Sequence, residues 1–152
     1  LKLKSGIRGM EYEYEDDAYM ICPVRNASEE EKRFLKWYKK KLKKKGFRVH
    51  YPAIDTVQED ETKGYRICMD HCREISRAKT VHVYWNGKSS GSYVDLGTSL
   101  LEHYKRGMEI LLINRRTVKK IVEQQEKDGL KKSYEMVLMH LDSLAKSKTR
   151  IG

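Results

Sequence analysis

No stretch of the 152-residue chain approaches the ~20 consecutive apolar residues that a membrane-crossing helix needs, which argues against a membrane protein. The first 25 residues carry acidic clusters and lack the apolar centre of a signal peptide, so the expected location is cytoplasmic. Cysteine is scarce. The three present, Cys22, Cys68 and Cys72, are odd in number and spaced unlike a zinc ribbon, which excludes a disulfide framework and fits a reducing compartment. Cys68 and Cys72 stand one helical turn apart with His71 between them; that is too few ligands for a metal centre, and the plain reading is two small residues facing the core. No metal or cofactor is expected. Proline occurs only twice, and both Pro23 and Pro52 close an apolar run. Apolar residues make up only 39% of the chain against 36% charged, so a single small domain with a thin core is expected. Acids are outnumbered 22 to 32 by Lys and Arg, and the resulting net charge of +10 favours an anionic partner.

What is present alternates between apolar runs and amphipathic segments. Residues 1–17 have no clear period and read as an arm or an edge strand, with Tyr12 and Tyr14 set between acids. Residues 18–22 form a first buried strand. Ser28 and Glu31 make a capping box for a helix ending near Lys45 and Gly46, with Phe34, Leu35, Tyr38 and Leu42 on one face. Its lysine-rich end, residues 39–45, reads either as a solvated face or as a surface for nucleic acid; for the latter, Trp37 is the one ring placed to help. A second strand is expected over residues 47–51. The loop from Pro52 to Gly64, rich in acids, is long enough to serve or cover a site. A helix over residues 65–78, with Ile67, Cys68, Cys72 (or Met69) and Ile75 inward, leads to a third strand over 80–85.

Residues 80–114 organise the rest. An apolar strand runs into a Gly/Ser-rich loop bearing Asp95, followed by a short amphipathic segment from Thr98 to Arg106 and a fourth strand over 108–113. This order builds a parallel α/β sheet, and such sheets bind ligands outside the carboxyl ends of their strands. Residues 115–152 are helical, with stripes at Val118, Ile121 and Val122 and at Tyr134, Val137, Leu138, Leu141 and Leu144. The expected fold is a small flavodoxin-like (Rossmannoid) parallel sheet with helices on both faces. An arm (residues 1–17) precedes the α/β domain (18–114), and the C-terminal helices (115–152) pack on that same domain.

Three loops carry a resemblance. Cys22, Pro23, Val24 and Arg25 follow the first strand, Tyr51, Pro52, Ala53, Ile54 and Asp55 the second, and Gly91, Ser92, Tyr93, Val94, Asp95, Leu96 and Gly97 the third. In this order they resemble the nucleoside 2-deoxyribosyltransferase superfamily over residues 18–114. The resemblance implies a 2-1-3-4 strand order, a homo-oligomer whose neighbouring subunit helps close the site, and a nucleoside or nucleotide ligand. It also implies transfer or hydrolysis at the N-glycosidic bond. That chemistry places a carboxylate against an oxocarbenium-like centre while the leaving base is protonated.

The chain departs from the family pattern at the nucleophile, whose usual place six residues after Asp95 is Leu101. Glu102 follows it, rotated by about 100° around a helix. The resemblance makes Asp95, Glu102 and His71 the candidate catalytic residues, with His71 as the proton carrier near the base. The candidate substrate-binding residues are Pro23, Val24, Arg25, Tyr51, Asp55, Ser92, Tyr93 and Gly97. Asp95 has two readings, a ligand or orienting group and a helix N-cap. Arg25 either meets a phosphate or pairs with Asp55 or Glu59. Because Leu101 stands in the nucleophile's place, binding or weak hydrolysis is favoured over transfer. The alternatives are a non-catalytic nucleotide-sensing or interaction module and, third, nucleic-acid binding through the basic helix.

Overall fold

A computed structural model describes residues 2–5, 10–147 and 149–151, with side chains from residue 14 onward. Strands β1 (Lys2–Ser5) and β2 (Met10–Glu13) pair antiparallel as a small sheet of their own. The main sheet begins with β3 (Asp16–Ile21), whose interior residues Ala18, Tyr19, Met20 and Ile21 are fully buried, as an apolar run flanked by helices on both faces must be.

Helix α1 (Glu29–Lys44) starts at the expected capping box: Ser28 accepts the Glu31 amide at 3.1 Å while Glu31 accepts the Ser28 amide at 3.0 Å. It stops at Gly46, whose φ of +90° is left-handed backbone that favours glycine. Strand β4 (Val49–His50) is short, and a single turn, α2 (Pro52–Asp55), begins at the proline. Helix α3 (Tyr65–Ser76) buries Glu74 and Ile75, while Ile67 and Cys72 are half-buried and Cys68 is exposed. The pair of cysteines therefore does not face the core as expected, because the inward stripe of α3 runs one position further round.

Strand β5 (Ala78–Val83) follows, then α4 (Ser90–Arg106) and β6 (Glu109–Leu112). The early start of α4 is a correction, since residues 90–97 were expected as loop. Ser89 caps the helix by accepting the Ser92 amide, and Ser92, Asp95, Leu96 and Ser99 are buried on one face. That burial outweighs the cost of Gly91 and Gly97 inside a helix, about 1 kcal/mol each. Helices α5 (Arg115–Lys127) and α6 (Tyr134–Leu144) complete the chain.

The sheet order is β4-β3-β5-β6, all parallel, which is 2-1-3-4 counted along the parallel strands. One face packs Ala18, Met20 and Cys22 on Leu35, Tyr38 and Leu42 of α1. The other packs Tyr19, Ile21, Val81 and Val83 on Ile75 of α3 and Leu96 of α4, and this core continues to Leu138 and Leu141 of α6. Helix α6 also lies over the edge strand, where buried Asp142 accepts the Leu112 amide at 2.7 Å and pairs with Arg115 and Arg150. Among the described residues, no helix is long and apolar enough to cross a membrane.

Candidate functional site

The chain leaves β3 toward β4 on one side and returns to β5 on the other, so the carboxyl ends of β3 and β5 mark the switch point where α/β sheets take ligands. Three elements send polar side chains into the layer beneath it. Tyr19 of β3 donates its hydroxyl to Asp95 Oδ2 at 3.2 Å, and His71 of α3 meets Asp95 Oδ1 through Nδ1 at 3.1 Å. An ionised carboxylate only accepts, so this contact calls for a proton on Nδ1, and Nε2 is turned away from Asp95. Burial, with the Asp95 charge adding to it, raises the Tyr19 phenol well above its ordinary value, which keeps it a donor. The rings of Tyr19 and His71 stand edge to face, 6.1 Å apart.

Two atoms of this layer have no hydrogen-bond partner although both are buried: His71 Nε2 and Ser92 Oγ. Ser92 lies one helical turn before Asp95 on the inward face of α4 and is only 5% exposed. Buried polar atoms in native proteins are nearly always satisfied, so a water or a ligand group belongs against each. Sequence reasoning singled out Asp95, His71 and Ser92 and missed Tyr19, which reads there as one more residue of a buried strand. A tyrosine hydroxyl inside an apolar run was the available signal, because a buried phenol needs a partner.

The other candidates go elsewhere. Glu102 forms an ion pair with Arg106 at 2.7 Å, and Arg106 in turn donates to the carbonyls of Ile75, in the last turn of α3, and Ala78, at the start of β5. Seven residues of helix separate Glu102 from Asp95, about 10 Å along the axis. Leu101 is exposed on the outer side of α4. Asp55 binds Lys39 at 2.7 Å and accepts the Tyr51 amide, and these contacts outweigh burial to hold its carboxyl below the ordinary value. Lys39 is thus a buried, paired lysine rather than part of a solvated face. Tyr51 is buried and its phenol is pushed up to about 12, by burial first.

Asp60 builds the long acidic loop by accepting the amides of Thr62, Gly64 and Ile67. Pro23 is buried, whereas Val24 is half-buried and Arg25 exposed at the end of β3. Tyr93 points away from Asp95, donating to the Gly87 carbonyl at 3.0 Å and packing edge-on against Trp85 and Tyr134. Gly97 has open space beside it. Asp95 itself is not a cap. It sits inside α4 and its carboxylate is turned to the sheet.

The loop after β5 is anchored by groups that the sequence did not advertise. Asn114 both accepts the Trp85 amide at 2.9 Å and donates to the Trp85 carbonyl at 2.7 Å, and Trp85 Nε1 donates to Glu135 of α6 at 2.6 Å. This fixes where α4 starts, and hence where Ser92 and Asp95 point. Comparison with family models, with curated proteins and with solved structures found no match to this chain.

Proposed function

We propose that this chain is a nucleoside- or nucleotide-binding α/β domain of the deoxyribosyltransferase-like kind, working by binding rather than by glycosyl transfer. The observation that carries the reading is the pair of unpartnered buried atoms, His71 Nε2 and Ser92 Oγ, flanking Asp95 near the β3–β5 switch point. In this reading the hydroxyls of a ribose, or the edge of a base, take up those two positions while Tyr19 holds Asp95. Exposed Arg25 and the first amides of α4, at the same end of the sheet, supply the phosphate end. Binding is favoured over transfer because Glu102 is committed to Arg106. Two carboxylates about 10 Å apart along one helix axis also exceed the ~5–5.5 Å at which a retaining pair works.

A homo-oligomer belongs to the same reading. On the outer side of α4, Val94, Leu101 and Tyr104 are exposed and Gly97 lies between them, a stripe at helical spacing open to a second copy.

The test is calorimetry and thermal shift with ribo- and deoxynucleosides and their 5′-monophosphates, followed by chromatography for free base. The expected result is saturable stabilisation without base release, reduced at least tenfold in affinity by Asp95→Asn and untouched by Glu102→Gln. No stabilisation by any member of the panel sinks the proposal. Base release that Glu102→Gln abolishes restores the transferase reading.

A further inference from the structure

A second polar cluster lies on the same side of the sheet but toward the amino ends of the strands, outside the site described above. Asp16 from the start of β3, His50 from the end of β4 and Glu74 from the last turn of α3 each offer one ligand atom, and these three atoms lie within 4.8 Å of one another. Asp16 reaches them through an irregularity in the backbone. Strand alternation would place Asp16 with Ala18, on the α1 face. Instead the amides of Asp17 and Ala18 both donate to the Arg48 carbonyl, at 2.9 and 3.1 Å, so that two residues of β3 face one of its neighbour. That is the mark of a bulge, a feature that re-aims side chains.

The chemistry of the three groups calls for a cation. His50 Nδ1 stands 3.7 Å from Glu74 Oε2, too long for a hydrogen bond between them. It is close to the roughly 3.4 Å that separates two ligands bound at ~2.0–2.1 Å on a tetrahedral ion. The other ring nitrogen, Nε2, is engaged at 2.9 Å by Thr56 Oγ1, and Thr56 is itself buried. Metal-binding histidines are oriented in this way, with the second nitrogen held by an outer group. Glu74 is only 9% exposed, its Oε1 is taken by Arg73 at 3.2 Å, and Oε2 is left facing His50. Arg48 and Lys79, the neighbouring cations at this end of the sheet, pair with Asp17 and Arg77 pairs with Glu15, so none of these bridges the cluster.

We propose that Asp16, His50 and Glu74 form a binding site for a divalent first-row transition metal, of the zinc or manganese kind. One imidazole and two carboxylates suit these ions, and half-exposed Asp16 leaves a position open to water. The inference does not rest on the nucleotide reading.

The full chain, stripped with a chelator, is titrated with Zn²⁺ and with Mn²⁺ by calorimetry. One equivalent per chain is expected, with a rise in Tm of roughly 5–10 °C at a hundredfold excess of ion over Kd. His50→Gln, Glu74→Gln and Asp16→Asn should each weaken binding at least tenfold, and Thr56→Val roughly tenfold with all three ligands kept. Circular dichroism of the metal-free variants checks that they fold; Asp16→Asn, at a half-exposed position, carries the test if the buried ones do not. Cys68→Ser/Cys72→Ser should leave binding intact, and bound Co²⁺ should show no thiolate charge-transfer absorption. Absence of stoichiometric binding overturns the proposal, as does binding lost with the cysteines. Binding unchanged in Asp16→Asn overturns it too, since the three groups would then share only a proton.

Discussion

Tyr19 links the Asp95 site to the Asp16–His50–Glu74 cluster. Its hydroxyl holds Asp95, its ring stacks on His50 at 5.4 Å with the planes nearly parallel, and its edge meets His71. Removing only the oxygen therefore tests how much the buried layer depends on a single donor. Tyr19→Phe leaves Asp95, itself 7% exposed, with His71 as its one remaining side-chain partner. Such a loss typically costs about 1–3 kcal/mol, because one face of a desolvated carboxylate goes unpaired. Denaturant unfolding should register that loss with an unchanged m-value. Asp95→Asn should cost less than Tyr19→Phe. An amide oxygen still accepts from Tyr19, and a neutral group is cheaper to bury than a charge. If Asp95→Asn proves the more damaging of the two, the ionised form is needed for folding itself.

At the scale of elements, the edge strand β6 is a liability and α6 its remedy. Leu112 would present an unpaired amide, yet Asp142 of α6 accepts it and draws in Arg115 and Arg150. Asp142→Ala should destabilise by about 1–3 kcal/mol, mainly because it strips a buried amide of its acceptor, while the two half-exposed arginines can hydrate. Asp142→Asn, which keeps the amide's acceptor, should recover part of the loss in the same thermal-unfolding assay.

None of this interlock could be read in advance, because an aspartate within an amphipathic stripe looks like any solvated acid. By contrast, α1 was legible in its bounds and its apolar stripe, though not in the burial of Lys39 against Asp55. Its capping box, apolar face and terminal glycine are all local, and local signals survive without knowledge of the fold. The parallel sheet was legible for a similar reason, as apolar runs separated by amphipathic segments leave few arrangements. Helix α4 misled because Gly91 and Gly97 look like loop, and what keeps them helical is burial of Ser92, Asp95 and Leu96 against distant strands. The candidate site inherited that error. With α4 beginning at Ser90, Asp95 becomes an inward-facing helix residue and Glu102 falls two turns further along. Asp95 and His71 were named from the sequence, but their direct contact and the Tyr19 hydroxyl on the same carboxylate were not.

For the whole molecule, a buried histidine on the α1 side of the sheet shapes the response to acid. The α1 side encloses His82, fully buried, bonded to the Tyr38 hydroxyl at 2.6 Å and to Thr149 at 3.2 Å. Burial there, with Arg150 adding to it, lowers the His82 pKa from 6.5 to about 3. In the native protein this imidazole stays neutral down to about pH 3, whereas the unfolded chain binds its proton below about 6.5. The unfolded state thus holds more protons between those values, so stability rises with pH across that window and falls on acidification. The slope from this one group is at most about 1.4 kcal/mol per pH unit. Asp17 and Asp55, whose carboxyls sit below their ordinary values, add to the acid loss only nearer pH 4 and below. Denaturant unfolding of the parent and of His82→Gln between pH 7 and pH 5 isolates the histidine. The variant should be less stable at pH 7, because Tyr38 and Thr149 lose their shared partner, and its stability should change less with pH than the parent's. Parallel pH curves would mean that His82 is protonated in the folded protein, and the neutral Tyr38–His82–Thr149 chain would have to be abandoned.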